Sequence, residues 1–503
     1  MAGDGGRVQD GRVTSSTSRP DPSRSAIASD VDAAAARLDG VIRQTPLQRC
    51  ERLSAEFGVE VWLKREDLQP VRSYKIRGAY NLIAQLSEAE RAAGVVCASA
   101  GNHGQGVALA CAQLGIAGRI YVPTTTPRQK RDRMTQLGGS FVDLVVVGDS
   151  YDEASAAAKA AALESGATLV PAFDDPRTIA GQGTIAREIV EQLEAFQVSS
   201  RIDVRSSGKD ESDSTRTGAG TAQSEAALTA TADPNADPVW SAERGNHPTP
   251  HESTDQPAPD ATPFDTLLVP VGGGGLLAGC LAWLSERYPS VKVVGVEPAG
   301  AACMTLALDA GRPRDVQRLD TFVDGAAVRR AGDHTFAIAR RHAPRMVTVP
   351  EGRICSEMLA LYQTEGIIAE PAGALATASL GLYQPTPGER IVAVVSGGNN
   401  DVSRYSEIVE RSLVYQGRKH YFLVNFPQEP GALRRFLDDV LGPDDDITLF
   451  EYVKRSNRDL GPALVGIELG DPSTYSGLLD RMDSSGMNVE VVSPDSPFYR
   501  FLV

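Results

Sequence analysis

Residues 269–284, VPVGGGGLLAGCLAWL, decide how this chain is built. An apolar run ends in four consecutive glycines, Gly272, Gly273, Gly274 and Gly275, and a second apolar run with helical character follows at Leu276. A strand that turns sharply into a helix is the elementary unit of an α/β fold. Glycines carry no Cβ, so successive backbone N–H groups can be aimed at one anion, and the positive end of the following helix adds to the attraction. The stretch reads as a phosphate cradle. A turn with a purely structural role needs one or two glycines, not four. The pattern is neither GxGxxG with a ribose-binding acid downstream nor a loop closing on Lys-Ser/Thr, which argues against a dinucleotide or ATP.

Outward from that point the same grammar repeats. Short β-rich runs (VEVWLKRE, GVVCASA, RIYVP, SFVDLVVVG, ATLVPAF, DTLLVPV, VKVVGVEP, RMVTVP and RIVAVVSGG) are bounded by Gly or Pro and separated by Ala-rich stretches such as SYDEASAAAKAAALESG. That alternation predicts βαβ units and mostly parallel sheets. At 503 residues the chain exceeds the ~250–300 residues at which one core stops growing, so more than one domain is expected. The segment 1–26 has no apolar run and reads as a disordered leader, and SDVDAAAARLDGVI, with Ser29 or Asp30 as its cap, opens the body at residues 27–416. Within the body, residues 199–263 are rich in Ser, Thr, Asp, Pro and Ala and too poor in large apolar residues to offset their ordering entropy. They read as a disordered insertion between the helix AREIVEQLEAF and the strand DTLLVPV. Residues 417–503 follow another pattern, strand HYFLVNF, helix EPGALRRFLDDVL, strands ITLFEYVKR and ALVGIELG, helix STYSGLLDRMDSSG and strand NVEVVS. That βαββαβ order is the ferredoxin-like α+β unit.

The formal net charge is −15, with 50 Lys+Arg against 65 Asp+Glu, and no basic stripe is interleaved with aromatics, so nucleic acid is not an expected partner. The six cysteines, Cys50, Cys97, Cys111, Cys280, Cys303 and Cys355, show no CxxC spacing and read as reduced thiols. No segment reaches the ~18 apolar residues of a membrane helix. No membrane partner is expected, and the cytoplasm is the expected location.

Two further Gly-rich turns close apolar strands. CASAGNHGQG could offer backbone N–H groups to a carboxylate, with Asn102 and His103 supplying side-chain hydrogen bonds where open α/β sheets bind ligands. VAVVSGGNN ends in Ser396, whose hydroxyl can meet a heterocycle nitrogen without charging it. The segment VRSYKIRGAYN places Lys75 before an apolar helical pattern. A lone lysine is usually a solvated side chain. A cation at a helix N-terminus is unfavourable unless an anionic ligand lies nearby, and that is the surround an activated amine requires.

SYKIRGAYN, SAGNHGQG, VGGGGL and SGGN, in this order, resemble the fold-type II pyridoxal-phosphate enzymes, and among them the threonine/serine dehydratases. The resemblance spans about residues 29–415 without the insertion. It implies two open parallel-sheet α/β subdomains and pyridoxal 5'-phosphate as the cofactor. Lys75 resembles the lysine that carries the cofactor as a Schiff base and then removes the Cα proton. Gly272, Gly273, Gly274, Gly275 and Leu276 resemble the phosphate loop, Asn102 the partner of the cofactor's 3'-oxygen, and Ser396 the group facing the ring nitrogen. Ser99, Ala100, Gly101, Asn102 and His103 resemble the loop that receives the substrate carboxylate. The implied reaction is β-elimination of water from L-threonine, followed by hydrolysis to 2-oxobutanoate and ammonia. L-serine stays open as a second substrate.

Two departures matter. Serine racemases of the group carry a second serine where this chain has Ala100, so deamination is expected rather than racemisation. Some relatives bind a divalent cation near VEPAGAACM, where Cys303 stands at the expected carboxylate position, so no metal is expected. YFLVNFPQEPGALRRFLDDVL resembles the ACT-like regulatory domain of biosynthetic threonine dehydratases, in one copy. This implies feedback by isoleucine and a homodimer or homotetramer. A degradative serine/threonine deaminase and a non-catalytic amino-acid sensor are the alternatives.

Overall fold

Strand β1 (Leu47–Arg49) and strand β2 (Glu60–Arg65) come from the N-terminal end of the body, yet β2 is flanked by a strand from its C-terminal end. The computed structural model describes residues 25–207, 262–452 and 459–493, with Ser496, Tyr499 and Leu502. The second sheet, made of β3 (Val95–Ala98), β4 (Gly118–Val122), β5 (Val142–Val146) and β6 (Thr168–Leu169), is drawn wholly from the chain after β2. The first sheet is then completed by β7 (Thr266–Pro270), β8 (Lys292–Pro298), β9 (Arg345–Val349) and β10 (Arg390–Val395). Its order is β1-β2-β10-β7-β8-β9, and the second runs β5-β4-β3-β6.

Every pairing in both sheets is parallel except β1 with β2. The short antiparallel β1 had no signature in the sequence, and an antiparallel edge on an otherwise parallel sheet is a common arrangement. The central strands are apolar throughout because helices cover both faces: Leu267, Leu268, Ile391, Val392 and Ala393 are fully buried.

A charged cluster is sealed between β2 and two helices. Arg77, in the helix Lys75–Ile83, donates to Glu66 Oε1 at 2.7 Å and to Glu188 Oε2 at 2.8 Å, and Lys64 Nζ meets Glu188 Oε1 at 2.6 Å. Thr45 adds a 2.6 Å hydrogen bond to Glu66. Burial alone would raise the Glu66 carboxyl, but Arg77 holds it below its ordinary value.

The body's first helix is Ala28–Leu38, and its first turn differs from expectation. Ile27 is the extended residue before it, and its N–H donates to Asp30 at 3.0 Å, so Asp30 sits in the first turn rather than at the cap. Residues 1–24 of the expected leader lie outside the described residues, and Ala26 is buried. The helix expected to end before residue 199 spans Pro176–Ser207, with no Gly or Pro in sequence from Leu193 to Ser207 and Gly208 next. The unit Leu193–Pro263 is distinct from the rest of the chain, and its residues 208–261 lie outside the described residues.

After the helix Tyr405–Tyr415, strands β11 (Lys419–Pro427), β12 (Asp446–Tyr452), β13 (Leu460–Glu468) and β14 (Asn488–Val491) form an antiparallel sheet in the order β12-β13-β11-β14. Helices Ala432–Val440 and Tyr475–Ser484 bury Phe436, Val440, Leu478 and Met482 against Phe422, Val424, Phe426, Val465 and Ile467. The strand and helix order is the ferredoxin-like one expected.

Candidate active site

Because β2, β10 and β7 are neighbours and parallel, the turns that follow them open at the same edge of the sheet. The first turn leads to Lys75, the second is Ser396-Gly397-Gly398-Asn399, and the third is Gly272 to Gly275. Backbone hydrogen bonds lock the first two together. Tyr74 N–H donates to Ser396 O at 3.2 Å, Gly398 N–H to Arg72 O at 2.9 Å, and Ser73 bridges to Gly397. Arg72 is held in the left-handed region at φ 54, a conformation uncommon for residues other than glycine.

Lys75 is the first residue of its helix and is partly buried. Its Nζ donates to Ala172 O at 3.3 Å, and the same carbonyl accepts Gln182 Nε2 at 3.1 Å. Phe173, the next residue, presses its ring on the glycine turn, where a Cβ at Gly273 would collide with it and one at Gly275 would collide with Gln182 Oε1. Gly274 has φ +93 and caps the helix Gly275–Arg287, and Thr335 Oγ1 holds Gly273 O at 2.7 Å. The turn therefore tolerates no side chain. The leading amides of its helix, Leu276 included, have no carbonyl one turn back to receive them.

The loop after β3 faces this array from the second sheet. Asn102 opens the helix Asn102–Leu114, and its side chain is oriented from both ends. Nδ2 donates to Glu370 Oε1 at 2.5 Å, and Oδ1 accepts from Asn399 Nδ2 at 2.7 Å. One Nδ2 hydrogen remains for a ligand. His103 is buried and pairs Nε2 with Val170 O at 2.8 Å. A carbonyl can only accept, so Nε2 carries the proton. Burial first, and the Lys75 charge second, push the imidazole down to about 4, so it is neutral at pH 7. Ser99 accepts the Gly101 N–H at 3.2 Å, which occupies one of the amides expected to serve a carboxylate. Ala100 contributes no side-chain polar group. The Ser396 hydroxyl is buried and donates to Ala372 O at 3.1 Å, so it can turn to a ring nitrogen only by leaving that carbonyl.

Glu370 was not singled out from sequence. It precedes the helix Pro371–Ala378, and its carboxyl lies against Gly397 and Asn102. Burial first, and the Asp324 charge second, push it up to about 7. A Glu-Pro pair at a helix start was its only local mark.

A cleft of about 880 Å³ adjoins these residues and is lined among others by Arg72, Gln105, Lys130, Asn399, Asn400 and Asp401. Buried polar atoms without partners surround the site: Ser73 Oγ, His103 Nδ1, Gln105 Oε1 and Gln182 Oε1. Orphaned polar atoms beside an amine, a side-chain-free glycine cradle and a neutral hydroxyl fit a phosphorylated heteroaromatic aldehyde such as pyridoxal phosphate. Near the expected cation site, Glu297 takes the Met304 and Thr305 amides at 2.7 and 2.9 Å, and Cys303 Sγ points to Gly272 O at 3.3 Å. Among the described residues no group of three or more His, Cys, Asp or Glu is placed to hold a metal, and no helix is long and apolar enough to cross a membrane.

A family profile described as pyridoxal-phosphate dependent enzyme matches residues 38–204 and 244–397, and one described as C-terminal regulatory domain of threonine dehydratase matches residues 410–502. A biosynthetic L-threonine dehydratase of Mycobacterium tuberculosis is 52% identical over 476 residues, covering 94% of this chain and 95% of that protein. The corresponding protein of Bacillus subtilis is 41% identical over 464 residues, covering 92% and 94%. Among solved structures, the processed form of threonine deaminase isoform 2 from Solanum lycopersicum superposes with a TM-score of 0.59 at 32% identity, covering 78% of this chain and 99% of that one.

Proposed function

We infer, since this chain belongs to the pyridoxal-phosphate-dependent enzymes and among them to the biosynthetic threonine dehydratases, that it is a threonine ammonia-lyase. It converts L-threonine to 2-oxobutanoate and ammonia at the entry to isoleucine synthesis, under feedback through its C-terminal domain.

Bound in the site, pyridoxal phosphate supplies an electron sink for the pair left on Cα when its proton departs. The chain's own groups do the rest. Lys75 Nζ would hold the cofactor and, as a free amine, would be the base that removes the Cα proton. The amides of Gly272, Gly273, Gly274, Gly275 and Leu276, at the positive end of a helix, hold the phosphate. The remaining Nδ2 hydrogen of Asn102 meets the 3'-oxygen, and the Glu370 and Asn399 contacts keep that amide from turning over. Ser99, Ala100, Gly101, Asn102 and His103 receive the substrate carboxylate, with Gly101 N–H released from Ser99 as it does so. Ser396 faces the ring nitrogen as a neutral group, which favours elimination over transamination. Ala100 provides no proton donor on the opposite face, so the product is a 2-oxo acid rather than a D-amino acid.

Residues 417–503 form the ACT-like domain on which isoleucine acts, the enzyme works as a homodimer or homotetramer in the cytoplasm, and residues 199–263 are an insertion. Residues 205–243 of this chain, left unmatched by the family profile, support that last assignment over the middle of the segment. Discrimination between L-threonine and L-serine rests on the shape of the pocket around the β-methyl and is worth only ~1–3 kcal/mol. The observation that carries the reading is the convergence of Lys75, the glycine turn and Ser396 at the carboxyl ends of β2, β7 and β10. Purified protein loaded with pyridoxal phosphate should release 2-oxobutanoate from L-threonine. Absence of 2-oxobutanoate from L-threonine would overturn it, and pyruvate from L-serine alone would leave a serine deaminase in its place.

A further inference from the structure

A continuous set of contacts runs from the C-terminal sheet to the far wall of the catalytic cleft, and the helix Tyr405–Tyr415 is its middle. On one side of that helix, Glu410 accepts from Tyr421 Oη at 2.5 Å and pairs with Lys419 Nζ at 2.5 Å, both on β11. On the other side, Arg411 lies 4.3 Å from the centroid of the Phe322 ring, and Arg404, in the turn leading into the helix, lies 4.8 Å from the same ring. Arg404 also donates to Phe322 O at 2.7 Å. Glu407 joins the two arginines, at 2.9 Å to Arg411 and 3.7 Å to Arg404.

Phe322 is 5% exposed, so guanidinium groups over its ring fix the segment that carries it. Two residues further on, Asp324 Oδ2 meets Lys130 Nζ at 2.6 Å, while Arg404 stands 3.8 Å from Asp324 Oδ1. Lys130 belongs to the helix Arg128–Gly138, which follows β4, and it lines the cleft. Asp324 comes from the chain between β8 and β9. The pair therefore joins the segment between β8 and β9 of the first sheet to the helix that follows β4 of the second, at a lysine that lines the cleft.

An ion pair of which Asp324 is 39% exposed is weak in water. It cannot lock the cleft, but it can bias the balance between open and closed forms, and a bias of that size is what a regulatory signal has to work on. One helix thus touches both the sheet that would sense an effector and, with the turn leading into it, the segment that carries Asp324.

We propose that Asp324 is a positioning residue that holds Lys130 across the cleft, and that the C-terminal domain restrains catalysis by shifting the Tyr405–Tyr415 helix and, through Phe322, loosening that contact. The proposal rests on the reading of this chain as an isoleucine-restrained threonine ammonia-lyase.

Kinetics and effector binding on the full-chain holoenzyme test it. Asp324→Asn should raise the KM for L-threonine about 3- to 10-fold with kcat within about twofold, the pattern of a lost binding-state contact. Arg411→Gln should leave kcat and KM near wild type and leave isoleucine binding, measured by calorimetry without substrate, unchanged. Its half-inhibition by isoleucine should nonetheless require at least ~5-fold more effector, the lower end of typical coupling. Arg411→Lys, which keeps a cation over the ring, should stay closer to wild type. The double variant Asp324→Asn with Arg411→Gln should be no less sensitive than the more resistant single one, because both act on one relay. Should Arg411→Gln fail to fold, Glu410→Gln, which cuts the helix from β11 and touches neither Phe322 nor Asp324, carries the same kinetic expectation. Isoleucine inhibition of Arg411→Gln equal to that of wild type would overturn the proposal and leave the enzymatic reading standing. A wild type that binds no isoleucine and is not inhibited would overturn the feedback reading and the relay with it.

Discussion

The glycine turns of the catalytic body and the four-stranded sheet of the C-terminal domain use small and apolar residues to different ends. In the body, backbone approaches backbone or ring so closely that a methyl group will not fit: Gly273 against Phe173, Gly373 against Gly397 O, and Gly397 against Glu370. Each of these contacts fixes backbone or a side chain of the candidate site. In the C-terminal domain one sheet face is covered by two helices, while the other presents Leu423, Leu464 and Leu449 half-buried beside exposed Glu451 and Glu490. There the packing specifies a fold, and on the outward face Lys419 and Tyr421 of β11 are tied to a particular partner, Glu410. The contrast teaches that a covalent cofactor site is written position by position, whereas an effector site of this kind is written in shape and contact with the rest of the protein.

The largest loss is expected at Lys75. Lys75→Ala should abolish both turnover and the visible absorption of the bound cofactor, and turnover near normal would contradict the assignment. Next is the buried charge cluster. Arg77→Met leaves Glu66 without its ion-pair partner and Glu188 with Lys64 alone, and removing one side of such a buried pair costs ~3–5 kcal/mol, which denaturant unfolding would register as a lower midpoint. An unchanged midpoint would mean that the cluster does not anchor the Lys75 helix. Gly273→Ala forces Phe173 and the turn apart, and a displacement of this kind at a reacting centre lowers kcat/KM by about 10²-fold. The same substitution at Gly486, where φ is +70 but nothing lies within 4 Å, should leave kcat/KM unchanged, since only local backbone strain is added.

Much of this was legible in the sequence because it is local. The strand-glycine-helix pattern of residues 269–284 sets the parallel order, and the motifs around Lys75, Asn102 and Ser396 each sit within ten residues of a strand end. Glu370 was not legible, since it meets Asn102 across 268 residues and its own neighbourhood reads as an ordinary helix start. The Arg77, Glu66, Lys64 and Glu188 cluster was hidden for the same reason: its members are charged residues that composition assigns to the surface, and only the crossing of β2 with two helices buries them. β1 escaped because three residues are too few to show a period. The helix expected to end before residue 199 runs on to Ser207 because an amphipathic run gives way to polar residues without a breaking residue until Gly208.

Removing residues 417–503 sharpens the comparison from the other side. The truncated body should retain threonine deamination within a few-fold and lose isoleucine inhibition, and inhibition that persists would place the effector on the body. The smallest effect is a pH dependence. Glu370 binds its proton up to about 7 in the folded protein, against 4.5 as its ordinary value. The folded state therefore holds more protons than the unfolded state in that window, so this residue's contribution to stability is full below about 4.5 and is lost as the pH rises through about 7. Glu370→Gln has no proton to lose. Its unfolding midpoint should gain on wild type as the pH rises from about 5 to 8, and a gap that stays constant or narrows would contradict the raised carboxyl.

Covalent trapping tests the central claim most directly. The holoenzyme is reduced with borohydride, digested, and searched for the peptide that carries the phosphopyridoxyl mass. The account predicts the mark on Lys75, in the peptide between Arg72 and Arg77. A mark on Lys64, Lys130 or any other lysine, or no mark on a protein that turns over L-threonine, would contradict it.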